Sequence, residues 1–153
     1  MSKVVFVDSD VILYVLERRE PFYSYSAQIL SLGDDKKVRL VTTSLVLANV
    51  YYLLRKHLGI GKASECLRKL RIIVDVISVN AKEVDLALNS EFSDFEDALE
   101  YFTALNNKVD FIITRNVRDY KNPKLIVLTP QQYIEGIREK HSNLPNKTSK
   151  RND

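Results

Sequence analysis

The stretch VVFVDSDVIL, residues 4–13, decides how this chain is read. Four apolar residues, three of them valine, have the look of a strand buried on both faces. The run breaks at Asp8 and Asp10, and apolar residues resume at Val11, Ile12 and Leu13. The resumed run, VILYVLERRE, reads as a helix start, with Ser9 or Asp10 able to cap its first turn. A strand that passes into a helix this quickly leaves its two carboxylates at its own carboxyl end.

The same alternation continues outward. FYSYSAQILSL (22–32) reads as a second helix stopping at Gly33, and VRLVTT (38–43) as a second strand. Ser44 is a plausible cap for SLVLANVYYLLRKHL, whose apolar residues at 47, 50, 51, 54 and 58 follow a helical period, with Gly59 and Gly61 punctuating its end. KASECLRKLRI reads as an amphipathic helix, IVDVIS as a strand, and AKEVDLALNS and DFEDALEYFTALNN as helices. VDFIIT and LIVL are strands on either side of the polar loop TRNVRDYKNP, and PQQYIEGIREK is a last helix with Pro130 in its first turn. Strands that alternate with helices from end to end imply a parallel sheet with helices on both faces, a three-layer α/β/α sandwich. Ligands bind such sheets outside the carboxyl ends of the strands.

With 153 residues the chain is long enough for one well-cored domain, expected over 1–140. HSNLPNKTSKRND (141–153) has almost nothing to bury and is expected to be a disordered basic tail. The single cysteine, Cys66, allows no internal disulfide, fits a reducing compartment, and reads as a packed thiol rather than a nucleophile. The two histidines, His57 and His141, stand in no zinc-ligand spacing. No apolar run approaches the ~20 residues that cross a bilayer, and the N-terminus is too short and too acidic for a signal peptide, so a cytoplasmic protein is expected. A net charge of +3 permits a nucleic-acid partner without requiring one.

Three acidic groups fall where a crevice is expected. Asp8 and Asp10 follow the first strand, and Asn116 and Asp119 lie in the loop after the strand that ends at Thr114. Asp94 and Asp97 in DFEDA are spaced i, i+3, on one helical face and in a first turn, where the macrodipole favours acids. Taken singly, most have an ordinary explanation: Asp10 as a cap, Asp94, Glu96 and Asp97 as dipole-complementing acids, Asp119 as a loop residue. Asp8 does not, because a carboxylate at the mouth of the sheet needs a partner or a cation. Carboxylates converging on one edge repel one another unless something positive sits among them, and oxygen ligands select a hard cation, Mg²⁺ or Mn²⁺. Such a site suits phosphoryl chemistry, the metal activating water and neutralising phosphate.

The ordered set VVFVDSDVIL, TTSLVLANVYYLLRK, SDFEDALEYFTAL, FIITRNVRDY and LIVLTPQQYI resembles the PIN-domain family, in particular its VapC-like toxin ribonucleases. The resemblance spans Lys3 to about Ile137 and implies a parallel α/β/α fold and a Mg²⁺- or Mn²⁺-dependent endoribonuclease. By position it makes Asp8 the first metal ligand, Asp97 the helix-borne acid and Asp119 or Asn116 the ligand of the last motif. Asp94 is then an accessory acid, Thr114 and Asn116 a supporting polar pair, and Asp10, where the family often has Asn, an orienting residue. It also implies RNA as substrate and a cognate antitoxin as partner.

One position departs from the pattern. Where the family has Glu in the helix after the second strand, this chain has Asn49, which offers a carbonyl oxygen but no charge. The alternative to a nuclease is therefore a weakened PIN fold that binds RNA or protein, unless Glu65, Glu96 or above all Asp94 compensates. Arg115 and Arg118, beside the acidic loop, are the best candidates to hold RNA phosphates, followed by Arg55, Lys56 and Lys121. Tyr51, Tyr52 and FYSYS offer a dimer or partner surface, although such residues are more often core. Two rivals fit less well. A haloacid-dehalogenase-type phosphatase, with Asp8 as nucleophile and Asp10 as acid, needs a later paired-acid loop that FIITRNVRDY lacks. A receiver domain needs an acid ending its central strand, and IVDVIS, read as that strand, has none.

Overall fold

β1 (Val4–Val7) forms the middle of the sheet, as an all-apolar strand should: Val5, Phe6 and Val7 have no exposed surface. The computed structural model describes residues 2–120 and 124–142. β2 (Arg39–Thr43) and β4 (Phe111–Ile113) flank β1, while β3 (Val74–Ile77) and β5 (Ile126–Leu128) form the edges. All pairings are parallel, in the order β3-β2-β1-β4-β5. IVDVIS is thus an edge strand and not the central one. Its pattern betrays this in retrospect, because Asp75 and Val76 are exposed and Arg39 reaches across to Asp75 at 2.9 Å.

The chain steps from β1 to β2 to β3 in one direction and then returns across β1 to β4. Right-handed crossovers put the helices of the two directions on opposite faces. Accordingly α1 (Ser9–Leu16), α2 (Tyr23–Asp34), α3 (Ser44–Leu58), α4 (Ile60–Ile73) and the closing α7 (Pro130–Ser142) pack among themselves, and α5 (Ala81–Leu88) packs with α6 (Phe95–Asn106). The result is the expected three-layer sandwich. The reversal of direction falls between β1 and β4, which makes the carboxyl ends of those strands the natural crevice.

Several caps differ from expectation by one residue. Asp8, not Ser9 or Asp10, caps α1, its carboxylate accepting from the Ser9 N–H at 2.7 Å. Thr43, not Ser44, caps α3, its Oγ1 accepting from the Val46 N–H at 3.2 Å. Thr43 is the last residue of β2 and Asp8 directly follows β1, so no loop separates strand from helix in either case. Gly33 does not stop α2 but lies inside it, where a Cβ would come within 2.4 Å of Leu40 Cδ1. Gly59, at φ +81°, is the true break between α3 and α4, and Gly61 is helical. α7 takes in His141 and Ser142, two residues past the expected domain end. The rest of the predicted tail and Lys121 lie outside the described residues. Cys66 is half-buried against the core, as a packed thiol should be.

Candidate active site

Asp8 stands where β1 becomes α1. Its N–H continues the ladder to the Ile113 carbonyl of β4 at 3.1 Å. One carboxylate oxygen caps α1 and the other accepts from Thr114 Oγ1 at 2.9 Å. Thr114 is fully buried and in turn accepts from the Asn116 N–H at 3.2 Å. The two strands at the switch point therefore fix Asp8 from both sides, with only 7% of its surface exposed.

The acids opposite come from α6. Asp94 is the N-cap, accepting from the Asp97 N–H at 3.0 Å, so its carboxylate is committed to the helix end rather than lying on a helical face. Asp97 sits in the first turn, half-buried, and Glu100 follows one turn later on the same face. Glu100 is 3% exposed and accepts from the Tyr120 hydroxyl at 3.4 Å. Asp8, Asp97 and Glu100 each offer an oxygen within 4.8 Å of the others, the metal-ligating group found among the described residues. Glu100 was not among the residues singled out from the sequence. Its one signal is weak: Glu100 repeats the i, i+3 step that links Asp94 to Asp97.

These residues line one cleft of about 440 Å³, together with Asp10, Asn49, Asp94, Glu96, Asn116 and Asp119. Asp119 lies exposed on the rim, in the 3-10 turn Val117–Asp119, and is not one of the three converging acids. Asn49 donates its amide to Glu96 Oε1, which ties α3 to α6 across the cleft. Asp10 turns one carboxylate oxygen to the Arg115 N–H at 3.3 Å, while the other is buried without a partner among the described residues. Glu65 is far more exposed and pairs with Lys69 at 3.3 Å on α4, so it does not compensate for Asn49.

Crowding shows in the protonation. Burial pushes the Asp97 carboxyl up to about 7, helped by the charges of Asp94, Asp8, Asp119 and Glu96. Burial raises Asp10 to about 7, with Asp8 adding to it. Glu100 goes furthest, to about 11, through burial, the charge of Asp8 and a hydrogen bond shared with it. Burial and the same acids push the Tyr120 hydroxyl upward as well. Strongly shifted groups gathered in one cleft are characteristic of functional sites.

The basic candidates divide. Arg115 touches the acidic cleft only through its backbone; its guanidinium lies over Phe22 and Tyr14 and lines a separate cavity of about 430 Å³ with Pro21, Tyr25 and Pro130. Arg118 is exposed beside Asp119. Arg55 and Lys56 lie over the ring of Tyr52, which itself lines the acidic cleft. Tyr51 packs against the core, whereas Tyr52 does not.

An all-parallel α/β/α domain with a carboxylate-lined cleft at its switch point belongs to the class of open α/β sheets whose binding crevice lies at the strands' carboxyl ends, here an acidic one. Within that class the chain belongs to the PIN-domain family, whose model, described as PIN domain, matches residues 4–118. Ribonuclease VapC1 of Aquifex aeolicus is 30% identical over 139 residues, covering 88% of this chain and 95% of that protein. Among solved structures, VapBC2 from Rickettsia felis, bound to a promoter DNA fragment, matches with TM-score 0.62 at 16% identity, over 82% of this chain and 98% of that one. VapC20 of Mycobacterium tuberculosis, described as a Sarcin-Ricin loop cleaving toxin, matches with TM-score 0.57 at 17% identity, over 71% and 86%. At these identities the structural matches speak for the fold.

Proposed function

We propose that this chain is a metal-dependent endoribonuclease of toxin type, with a water nucleophile, whose cation is held by Asp8, Asp97 and Glu100. The observation that carries the reading is the convergence of those three carboxylates within 4.8 Å of one another. The donor set fits Mg²⁺ or Mn²⁺: it is all oxygen, and burial, with the charges of neighbouring acids, pushes Asp97 and Glu100 above the ordinary carboxylate range. A cation bound there supplies charge against the scissile phosphate and acidifies a water molecule.

The chain's own residues do the rest. Thr114 fixes the orientation of Asp8, and Tyr120 that of Glu100. Asp119 and Asn116, on the open rim, face incoming substrate and complete the polar wall. Asp94 holds the first turn of α6 and so the position of Asp97. Asn49 braces Glu96 instead of supplying a charge. The binding-only alternative rested on the carboxylate missing at Asn49, and Glu100 supplies a carboxylate to the same cleft. The ribonuclease name of the Aquifex relative favours the same activity here. The toxin–antitoxin complexes among the solved matches, one from Klebsiella pneumoniae, favour a cognate antitoxin as partner.

The test is cleavage of single-stranded RNA by chelator-treated protein, before and after adding Mn²⁺. Cleavage should depend on the ion and be abolished by Asp8→Asn or Asp97→Asn, with the fold intact by circular dichroism. Cleavage that survives the chelator, or survives both substitutions, overturns the assignment.

A further inference from the structure

The acidic cleft repels the polyanion it is proposed to cut, so something beside it must hold the strand. Tyr52 is the one aromatic side chain lining that cleft among the described residues, and it is 51% exposed. Its helix neighbours Val50 and Leu54 are fully buried, so Tyr52 lies away from the core-facing stripe of α3 and contributes little to it. Lys56 Nζ lies 4.3 Å from the ring centroid and Arg55 Cζ 5.8 Å from it. Both cations belong to the last turn of α3, while Asn49, one turn before Tyr52, is fastened to Glu96 beside the acids. A half-exposed tyrosine with two cations over its ring, one helical turn from the proposed phosphoryl-transfer site, has the makings of a single-strand platform: a base displaces the cations and stacks on the ring while Lys and Arg move to meet the backbone. An exposed cation–π contact is weaker than a base stack, so the Lys56–Tyr52 contact does not bar a base from the ring.

We propose that Tyr52 is a stacking platform for the nucleotide next to the scissile phosphate, with Lys56 and Arg55 holding the adjoining phosphate. This subsite rests on the ribonuclease reading and assigns that site a single-stranded substrate entering over α3. Stacking accepts any base, so the subsite selects for an unpaired nucleotide rather than for a sequence.

The experiment measures steady-state cleavage with Mn²⁺, and anisotropy of a labelled single-stranded RNA oligonucleotide with Ca²⁺ in place of Mn²⁺, the strand being checked as intact on a gel after each titration. Tyr52→Ala should raise KM and weaken binding about tenfold, with kcat changed much less, while Tyr52→Trp retains both. Lys56→Ala should flatten the salt dependence of binding. An RNA with an abasic residue beside the cut should bind the wild-type protein about tenfold more weakly, yet bind Tyr52→Ala no worse than intact RNA does. If the wild-type protein cleaves RNA and Tyr52→Ala has unchanged KM and binding, the platform is overturned and the nuclease reading stands. If the wild-type protein binds the RNA through Tyr52 but never cleaves it, the nuclease reading falls and the platform stands.

Discussion

Glu83 and Glu100 are two glutamates of nearly equal burial with opposite surroundings. Glu83, 4% exposed, accepts from the Asn80 N–H and from the Asn106 amide. Glu100, 3% exposed, faces Asp8 and Asp97, with one hydroxyl as donor. A buried acid surrounded by acids costs stability and persists where function demands it. Glu100→Gln is therefore expected to raise the thermal midpoint of the metal-free protein at pH 8 while lowering RNA cleavage by about a hundredfold or more, both readable on one preparation. A fall in both would make Glu100 a structural residue. Thr114→Val keeps the shape but removes the donor to Asp8 and the acceptor for the Asn116 N–H. Its expected cost is about 10- to 100-fold in activity or Mn²⁺ affinity, measured by titration.

At the level of elements, two substitutions separate local preference from packing. Gly33→Ala should help a helix by up to about 1 kcal/mol on propensity alone. The added Cβ meets Leu40, which is 1% exposed and cannot swing away, so overpacking of about 1–3 kcal/mol wins and the urea midpoint falls. Thr43→Ala removes the cap of α3 and should cost about 1 kcal/mol by the same assay. Both cases show where the sequence was legible and where it was not. The strands and α-helices of the described residues could be read from apolar runs and spacing, because burial on a parallel sheet leaves a strong pattern, whereas the 3-10 turn Val117–Asp119 falls in a stretch that reads as a polar loop. Cap positions slipped by one because Asp8 and Thr43 each serve strand and helix at once. Gly33 looked like a stop because sequence carries no sign of a side chain, Leu40, approaching from another strand. The acidic cluster was legible as far as Asp8 and Asp97, both near element ends. Glu100 was not, since a single acid within a helical stretch resembles an ordinary surface residue until the fold buries it. Arg115, adjacent in sequence to the acidic loop, turns its side chain to Phe22, a direction that neighbourhood in sequence does not encode.

For the whole molecule, the acid cluster sets how stability depends on pH. Asp97 and Asp10 rise from an ordinary 3.8 to about 7, and Glu100 from 4.5 to about 11. A group with its folded pKa above its unfolded value binds more protons in the native state between the two values, so stability falls as pH rises through that window. Their contribution is fully present below pH ~4 and is lost progressively up to about 7 for the two aspartates, and beyond for Glu100. The metal-free protein should therefore melt at a higher temperature at pH 5.5 than at pH 8. A divalent cation reverses the sign of this argument, because it favours the ionised acids and competes with their protons. Saturating Mn²⁺ should raise the melting temperature strongly at pH 8 and weakly at pH 5.5, since the ion stabilises the fold by about 2.7 kcal/mol only where its concentration is a hundredfold above its Kd, and protons weaken that Kd at pH 5.5. The check is differential scanning fluorimetry at both pH values with and without Mn²⁺, repeated on Asp8→Asn. Equal Mn²⁺ shifts at the two pH values, or a full shift retained in Asp8→Asn, would mean that the ion binds elsewhere and that the acids of the cleft are held apart by protons alone.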